Sequence, residues 1–416
     1  MNLLWLFVMF QLTQFALESL LSSLNKKWYL NPDHQKDACE TLDISEKDFE
    51  KTLSYTQEKG KFGTISSVFN MAIFLVFLIA GGFGWAESLA KQLSLQINTG
   101  SVGTGLIFFG ILGLLSMLSS LPFSYYFTFH IEEAFGFNRQ SKSGFIIDLL
   151  KNLVLGTIIG GILLSGLLWI MEVAGSYWWL LAWGFMTAFQ FLMVFLYPIV
   201  LAPLFNKFSP LDEGPLKDEI FALAKKVEFK ASGIFVMNAS IRSTHGNAFF
   251  TGISSEKRIV LFDTLIEAMN IKELVAVLAH ELGHFKLNHI RSSLIRSTLI
   301  MGLTFYGLSL CLPLKSFYLA FDLEGISNYG ALLVFGLWYG LIQFFITPFQ
   351  TWISRKNEFE ADAFAKSHVG NATDLSEALK KLRQKNHAMP LTHPWYSTVY
   401  HSHPPLMERI QALYKN

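Results

Sequence analysis

Charge is scarce in this chain, and cysteine is almost missing. Only 16% of its 416 residues are charged, against about 25% in a soluble protein, which excludes an ordinary water-soluble domain. Basic residues number 33 and acidic residues 32, so nothing offers the basic surface that nucleic acid requires, and no nucleic-acid partner is expected. Cys39 and Cys311 are the only cysteines. Two, so far apart, build neither a disulfide framework nor a thiolate metal cluster. A metal site here must draw on histidine and carboxylate. The C-terminus carries no Cys box and no KDEL-type ending, so anchors and retention signals of those kinds are not expected.

What is plentiful is apolar. The chain is 51% hydrophobic, with 39 phenylalanines and a mean hydropathy of +0.36. Seven stretches are long enough to cross about 30 Å of hydrocarbon, near 2–22, 66–88, 103–125, 150–171, 178–202, 297–314 and 330–351. The expected class is a mainly α polytopic membrane protein. The first stretch lacks the basic start and small-residue cleavage site of a signal peptide. It also carries Gln11, Gln14 and Glu18 on one helical face. Ionisable groups at membrane depth face a protein interior or a water-filled cavity, unless Glu18 snorkels from the helix end. In span four, Gly156, Gly160 and Gly161 with Ser165 have the small-residue spacing of a helix–helix contact.

Basic residues in the short loops set the orientation. Lys26, Lys27, Lys36, Lys47, Lys51, Lys59, Lys61, Arg139, Lys142 and Lys151 fall on one side, and only Lys91 and Lys315 on the other. The N-terminus is thus expected outside and the C-terminus in the cytoplasm. The short outer loops favour a bacterial plasma membrane over the endoplasmic reticulum.

The chain divides into spans one to five (1–202), a polar insert (203–296), spans six and seven (297–351) and a C-terminal part (352–416), read as one integrated unit. Within the insert, Pro215 to Lys230 has the period of an amphipathic helix. Short β-like runs follow at Gly233–Met237, Ala248–Ile253 and Arg258–Phe262, separated by turn residues that include Ser254-Ser255. A helix beginning near Ile271 is expected to continue or bend toward span six. Further helices are predicted over 355–368, Asp374–Lys385 and Pro404–Leu413.

That helix from Ile271 carries His280-Glu281-Leu282-Gly283-His284. Random occurrence of His-Glu-x-x-His in such a chain is on the order of 0.01. Helical pitch puts His280 and His284 on one face, where both ring nitrogens reach one ion, with Glu281 beside it to take a proton from water. Catalytic zinc wants three protein ligands and an open position. His289 follows too closely to supply the third. Glu358-Phe359-Glu360-Ala361-Asp362 offers Glu358 and Asp362 on one helical side, one to bind metal and the other to accept a proton from a ligating histidine. Glu360 lies on another face. A plainer reading pairs these acids with Arg355, Lys356 and Lys366.

The sequence resembles the CAAX prenyl protease 1 family of integral-membrane zinc endopeptidases. The matching stretches begin with Phe129-His130-Ile131-Glu132-Glu133-Ala134-Phe135-Gly136-Phe137-Asn138 and Asn247-Ala248-Phe249-Phe250-Thr251-Gly252. They continue with Arg258-Ile259-Val260-Leu261-Phe262-Asp263-Thr264-Leu265 and the His-Glu-Leu-Gly-His segment. Ser354-Arg355-Lys356-Asn357-Glu358-Phe359, Ala361-Asp362-Ala363-Phe364 and His403-Pro404-Pro405-Leu406-Met407-Glu408-Arg409 complete them. The resemblance implies one Zn2+ per chain on His280, His284 and Glu358, with Glu281 as general base and Asp362 behind a ligating histidine. It implies that Asn247 and Ala248 pair with the substrate backbone. It makes His403 a donor to the substrate carbonyl or oxyanion, and Arg409 the residue that orients that region. It also implies seven helices enclosing a water-filled chamber, with a small zincin-like α+β part facing the cytoplasm. The family commonly has Gln where this chain has Glu360. His245, His289 and His401 have no matched role and are expected to be structural or surface residues.

The expected function is therefore hydrolysis of a peptide or protein substrate, prenylated in the CAAX reading, by a bilayer-embedded zinc peptidase. Two other readings stand beside it: a quality-control protease of broader specificity, and a transporter or scaffold without catalysis. A structural zinc site is closed by four protein ligands, which counts against the last.

Overall fold

Among the described residues, seven helices long and apolar enough to span a bilayer form where the apolar stretches lie. They run Leu3–Tyr29, Glu46–Ile79, Gly100–Glu132, Lys142–Val173, Gly175–Phe205, His289–Cys311 and Asn328–Val369. The structure, a computed structural model, describes residues 3–229, 233–251 and 258–415. Span two departs from its expected end at 88, because the helix stops at Ile79. Gly81 there has φ 73°, and a Cβ on Gly82 would lie 2.5 Å from the Phe77 ring. Only glycine meets both demands cheaply. A separate helix, Gly82–Ile97, fills much of the connection expected as a loop over 89–102. The loop expected over 23–65 is largely helical too. Asn31 Oδ1 accepts from Asp33 N at 2.9 Å, capping Pro32–Leu42, and Ser45 Oγ accepts from Asp48 N at 3.2 Å at the start of span two.

The spans close a ring in chain order. Phe7 of span one meets Phe74 of span two with ring centroids 6.2 Å apart, and Phe69 meets Phe123 of span three at 4.9 Å. Tyr125 and Phe145 join spans three and four at 6.0 Å. Gly166 of span four lets Phe185 of span five come so close that a Cβ would stand 2.6 Å from its ring. Trp183 of span five donates to the Thr298 carbonyl in span six at 2.8 Å. Phe335 of span seven lies over Gly307 of span six, and Trp338 returns to Phe7 at 5.3 Å. Such a ring has an interior. Protein buries only 6% to 22% of each span's most apolar stretch.

Phe7, Phe108, Leu168, Phe321 and Tyr329 share one buried cluster, and the Tyr329 hydroxyl donates to buried Glu87 at 2.8 Å. The glycines of span four do not make the helix contact that their spacing suggests. A Cβ on Gly156, Gly160 or Gly161 would meet nothing among the described residues within 4 Å. Gly156 and Gly160 instead line a cavity of about 1010 Å³ between spans three, four and five.

Between spans five and six comes a four-stranded sheet of β1 (Phe208–Pro210), β2 (Gly233–Met237), β3 (Ala248–Thr251) and β4 (Arg258–Phe262). Its order is β1-β2-β4-β3, with β2 and β4 parallel and the outer pairs antiparallel. Three residues ending in proline made β1 illegible as a strand, and proline is confined to such edges. Gly252, Ile253 and Ser254-Ser255 lie outside the described residues, as does Lys230; the helix from Pro215 ends at Lys226. Central β4 buries Ile259, Val260 and Leu261. With Ile220, Leu278, Leu282, Ala365 and Leu375, Ile259 and Leu261 form a second core under the motif helix. Each such leucine or isoleucine contributes about 1.5–3 kcal/mol by burial, ample to fix that helix against span seven.

Candidate active site

The motif helix, Ile271–Lys286, starts on a reciprocal cap. Asn270 Oδ1 accepts from Glu273 N at 3.0 Å, while Glu273 Oε2 accepts from Asn270 N at 2.9 Å. Leu274, Leu278 and Leu282 anchor its apolar stripe in the sheet core. Of the two expected courses the helix takes the bend toward span six: it ends at Lys286, and Asn288, with φ 60°, turns the chain so that His289 folds back toward His284.

His280, His284 and Glu358 converge. His280 Nε2 and His284 Nε2 are 3.2 Å apart. Glu358 Oε1 is 3.2 Å from His284 Nε2, and its Oε2 is 3.5 Å from His280 Nε2. The potential ligand atoms of this trio all lie within 4.8 Å of one another. Glu358 Oε2 is buried and lacks a hydrogen-bond partner among the described residues; beyond His280 Nε2 it has the longer ion-pair contact of an Arg409 nitrogen at 3.7 Å. Together with two ring nitrogens it offers the donor set of a divalent metal.

The plainer reading of the acidic segment holds only for Lys356, 3.8 Å from Glu360 Oε1. Arg355 donates instead to Ser397 Oγ and Glu408 Oε2, each at 2.6 Å. Lys366 reaches the Lys415 carbonyl. Arg355 thereby straps the C-terminal segment, with His403 and Arg409, onto span seven.

Asp362 stands behind His280. Its Oδ1 accepts from His280 Nδ1 at 2.8 Å, which turns the bare Nε2 toward Glu358. Arg409 grips the same carboxylate from Nε at 2.9 Å and from a terminal nitrogen at 2.6 Å. Burial acts to lower the His280 pKa, but the hydrogen bond to Asp362 and the nearby Glu358 carboxylate outweigh it and push it up to about 9. The site therefore favours positive charge. Burial raises the Glu281 carboxyl above its ordinary range, suiting a base that must later release its proton. His403 Nε2 is 3.3 Å from Glu358 Oε1, on a side chain that is 65% exposed. Asn247 and Ala248 lie outside the ligating trio, at the start of edge strand β3. Asn247 is exposed and its Oδ1 accepts from Ala248 N at 2.8 Å.

Sequence reasoning missed two neighbours. His289 is only 7% exposed and sets Nδ1 3.1 Å from His284 Nδ1. Its Nε2 is 3.0 Å from Glu360 Oε2. The spacing of five from His284 concealed this, because the turn at Asn288 was not legible.

A His-Glu-x-x-His helix facing a buried carboxylate, at one end of seven membrane spans, defines a membrane-embedded metal-dependent hydrolase. Residues 33–207 match the family described as CAAX prenyl protease N-terminal, five membrane helices, and residues 210–416 match peptidase family M48. A rice protein named CAAX prenyl protease 1 homolog is 38% identical over 89% of this chain and 88% of its own length. The human protein of that name is 32% identical over 98% and 94%. The crystal structure of S. mikatae Ste24p superposes with a TM-score of 0.92 at 34% identity, covering 99% of each chain. The chain belongs to peptidase family M48, among the CAAX prenyl protease 1 relatives. It is a multi-pass membrane metalloprotease that acts on peptide or protein substrates.

Proposed function

We propose that this chain is a zinc endopeptidase that removes the C-terminal tripeptide following a prenylated cysteine. The observation that carries the reading is the convergence of His280, His284 and Glu358, with the buried Glu358 Oε2 lacking a hydrogen-bond partner among the described residues. Two imidazoles and one carboxylate suit zinc, and they leave a coordination position open. Bound zinc supplies a Lewis acid that acidifies water and polarises the scissile carbonyl. Glu281 takes the proton of the attacking water on a carboxylate oxygen and delivers it to the leaving amine. His403, beside Glu358, donates to the oxyanion as it forms. Arg409 holds Asp362, and Asp362 holds His280. Edge strand β3, which Asn247 leads into and Ala248 begins, adds the substrate as an extended strand and reads its backbone more than its side chains.

That backbone readout also supports broader quality-control proteolysis, the reading to prefer where the source makes no prenylated proteins. We place the active site in the cytoplasm and the N-terminus outside, on the ten-to-two distribution of loop lysines and arginines. Short outer loops favour a bacterial plasma membrane. The test is cleavage of matched peptides with and without the prenyl group by purified protein, before and after chelation and zinc return. Prenyl-dependent, chelator-reversible release of a tripeptide is expected. Equal turnover of both peptides favours the broader protease, and hydrolysis that survives exhaustive chelation sinks the zinc assignment.

A further inference from the structure

The three acidic residues of the span-seven segment do not share one task. Glu358 and Asp362 face the motif helix, whereas Glu360 leaves the helix about 200° away from each and meets His289. We propose that His289 and Glu360 are a positioning pair that holds His284 in the tautomer able to ligate metal. Each ligating histidine is then backed by a carboxylate, His280 directly by Asp362 and His284 through an intervening imidazole. This rests on the reading of His280, His284 and Glu358 as the metal site.

The proton positions follow from the atoms. A carboxylate only accepts, so His289 Nε2, 3.0 Å from Glu360 Oε2, carries a hydrogen. The other nitrogen of a neutral ring, Nδ1, is then a bare acceptor. It faces His284 Nδ1 at 3.1 Å, a contact that needs a single shared proton, and that proton belongs to His284. His284 Nε2 is left bare, and it is the nitrogen turned toward Glu358 Oε1 and His280 Nε2. Without Glu360 the His289 ring is free to carry its hydrogen on Nδ1. It would then donate to His284 Nδ1, driving the His284 proton onto the ligating nitrogen. Lys356 lies 3.8 Å from Glu360 on the exposed side, and such solvated pairs contribute little.

The experiment uses the full-length protein and four variants: Glu360→Ala, Glu360→Gln, His289→Phe and His289→Asn. Zinc affinity is read by chelator competition, and the ligand field by the visible spectrum after cobalt(II) substitution. Glu360→Ala and His289→Phe are expected to weaken zinc binding about 10- to 100-fold and to shift the cobalt bands. Glu360→Gln, which keeps an acceptor oxygen, and His289→Asn, whose amide oxygen can replace Nδ1, are expected to return both readouts toward the unaltered protein. That conservative rescue separates positioning from mere packing. Unchanged affinity and spectrum in both Glu360→Ala and His289→Phe overturn the inference. So does equal loss in all four variants, which would mark a packing role. If the unaltered protein fails to bind zinc stoichiometrically, the metal-site reading falls, and the inference falls with it.

Discussion

Gly283 lies against Ala361 so closely that a Cβ on the glycine would stand 3.1 Å from the Ala361 Cα and 3.2 Å from the Phe364 Cβ. The variable position before His284 is thus the point where the motif helix touches span seven. Their approach carries Glu358 to within 3.2 Å of His284. Gly283→Leu must force the helices apart, at a cost of about 1–3 kcal/mol for overpacking. The expected result is a lower thermal midpoint together with loss of bound metal. A variant that keeps both full metal content and the original midpoint would show that the contact does not set the site.

Glu281 has no place among the ligating atoms, so its removal should separate chemistry from metal binding. Glu281→Gln is expected to retain metal and to lose about 10²- to 10⁴-fold in turnover, the range for a general base. His284→Ala and Glu358→Ala should lose metal and activity together. Metal analysis beside peptide hydrolysis checks both, and undiminished cleavage by Glu281→Gln would falsify the role.

The sequence made the seven spans and the motif helix legible because hydropathy and helical period are local properties. Glu358 was narrowed to one of two carboxylates by helical spacing alone, and resemblance made the choice. The end of span two differs from the expected one because its turn depends on the positive φ of Gly81 and on the close approach of Phe77 to Gly82. The span-four glycines show the opposite failure. Their spacing suits a helix contact, but whether a neighbouring helix arrives there is a matter of tertiary arrangement. His289 required both the left-handed turn at Asn288 and the far side of span seven, neither of which a motif encodes.

Arg409 is buried with its charge on Asp362 and Glu358. Removing one member of such a pair strands the other, typically costing about 3–5 kcal/mol. Arg409→Met is therefore expected to unfold at markedly lower temperature. The double variant Asp362→Leu with Arg409→Met should regain much of that stability, since an apolar pair can replace a buried ion pair. It should still bind metal weakly, because His280 loses its acceptor. Thermal unfolding and zinc competition on the single and double variants decide the matter; full metal affinity in the double variant would remove Asp362 from the site.

His245 joins four parts of the molecule just before β3. Its Nε2 is 3.3 Å from Glu132 Oε2, and its Nδ1 is 3.0 Å from Asn386 Oδ1. The ring stacks on Phe137 with centroids 4.4 Å apart. Glu132 in turn accepts from the Tyr55 hydroxyl of span two. The carbonyl of His245 accepts from Thr264 Oγ1 at 2.8 Å, which fixes the backbone two residues ahead of Asn247. This cluster lies outside the metal-binding trio, so its loss should act on how substrate is held rather than on the ion. His245→Ala is expected to raise KM with zinc affinity unchanged and with a smaller effect on kcat. Glu132→Gln, which keeps an acceptor oxygen for Tyr55, should do less. Steady-state kinetics paired with zinc competition test this. A fall in kcat with KM untouched would mean that β3 is set elsewhere and that His245 serves only to pack the junction.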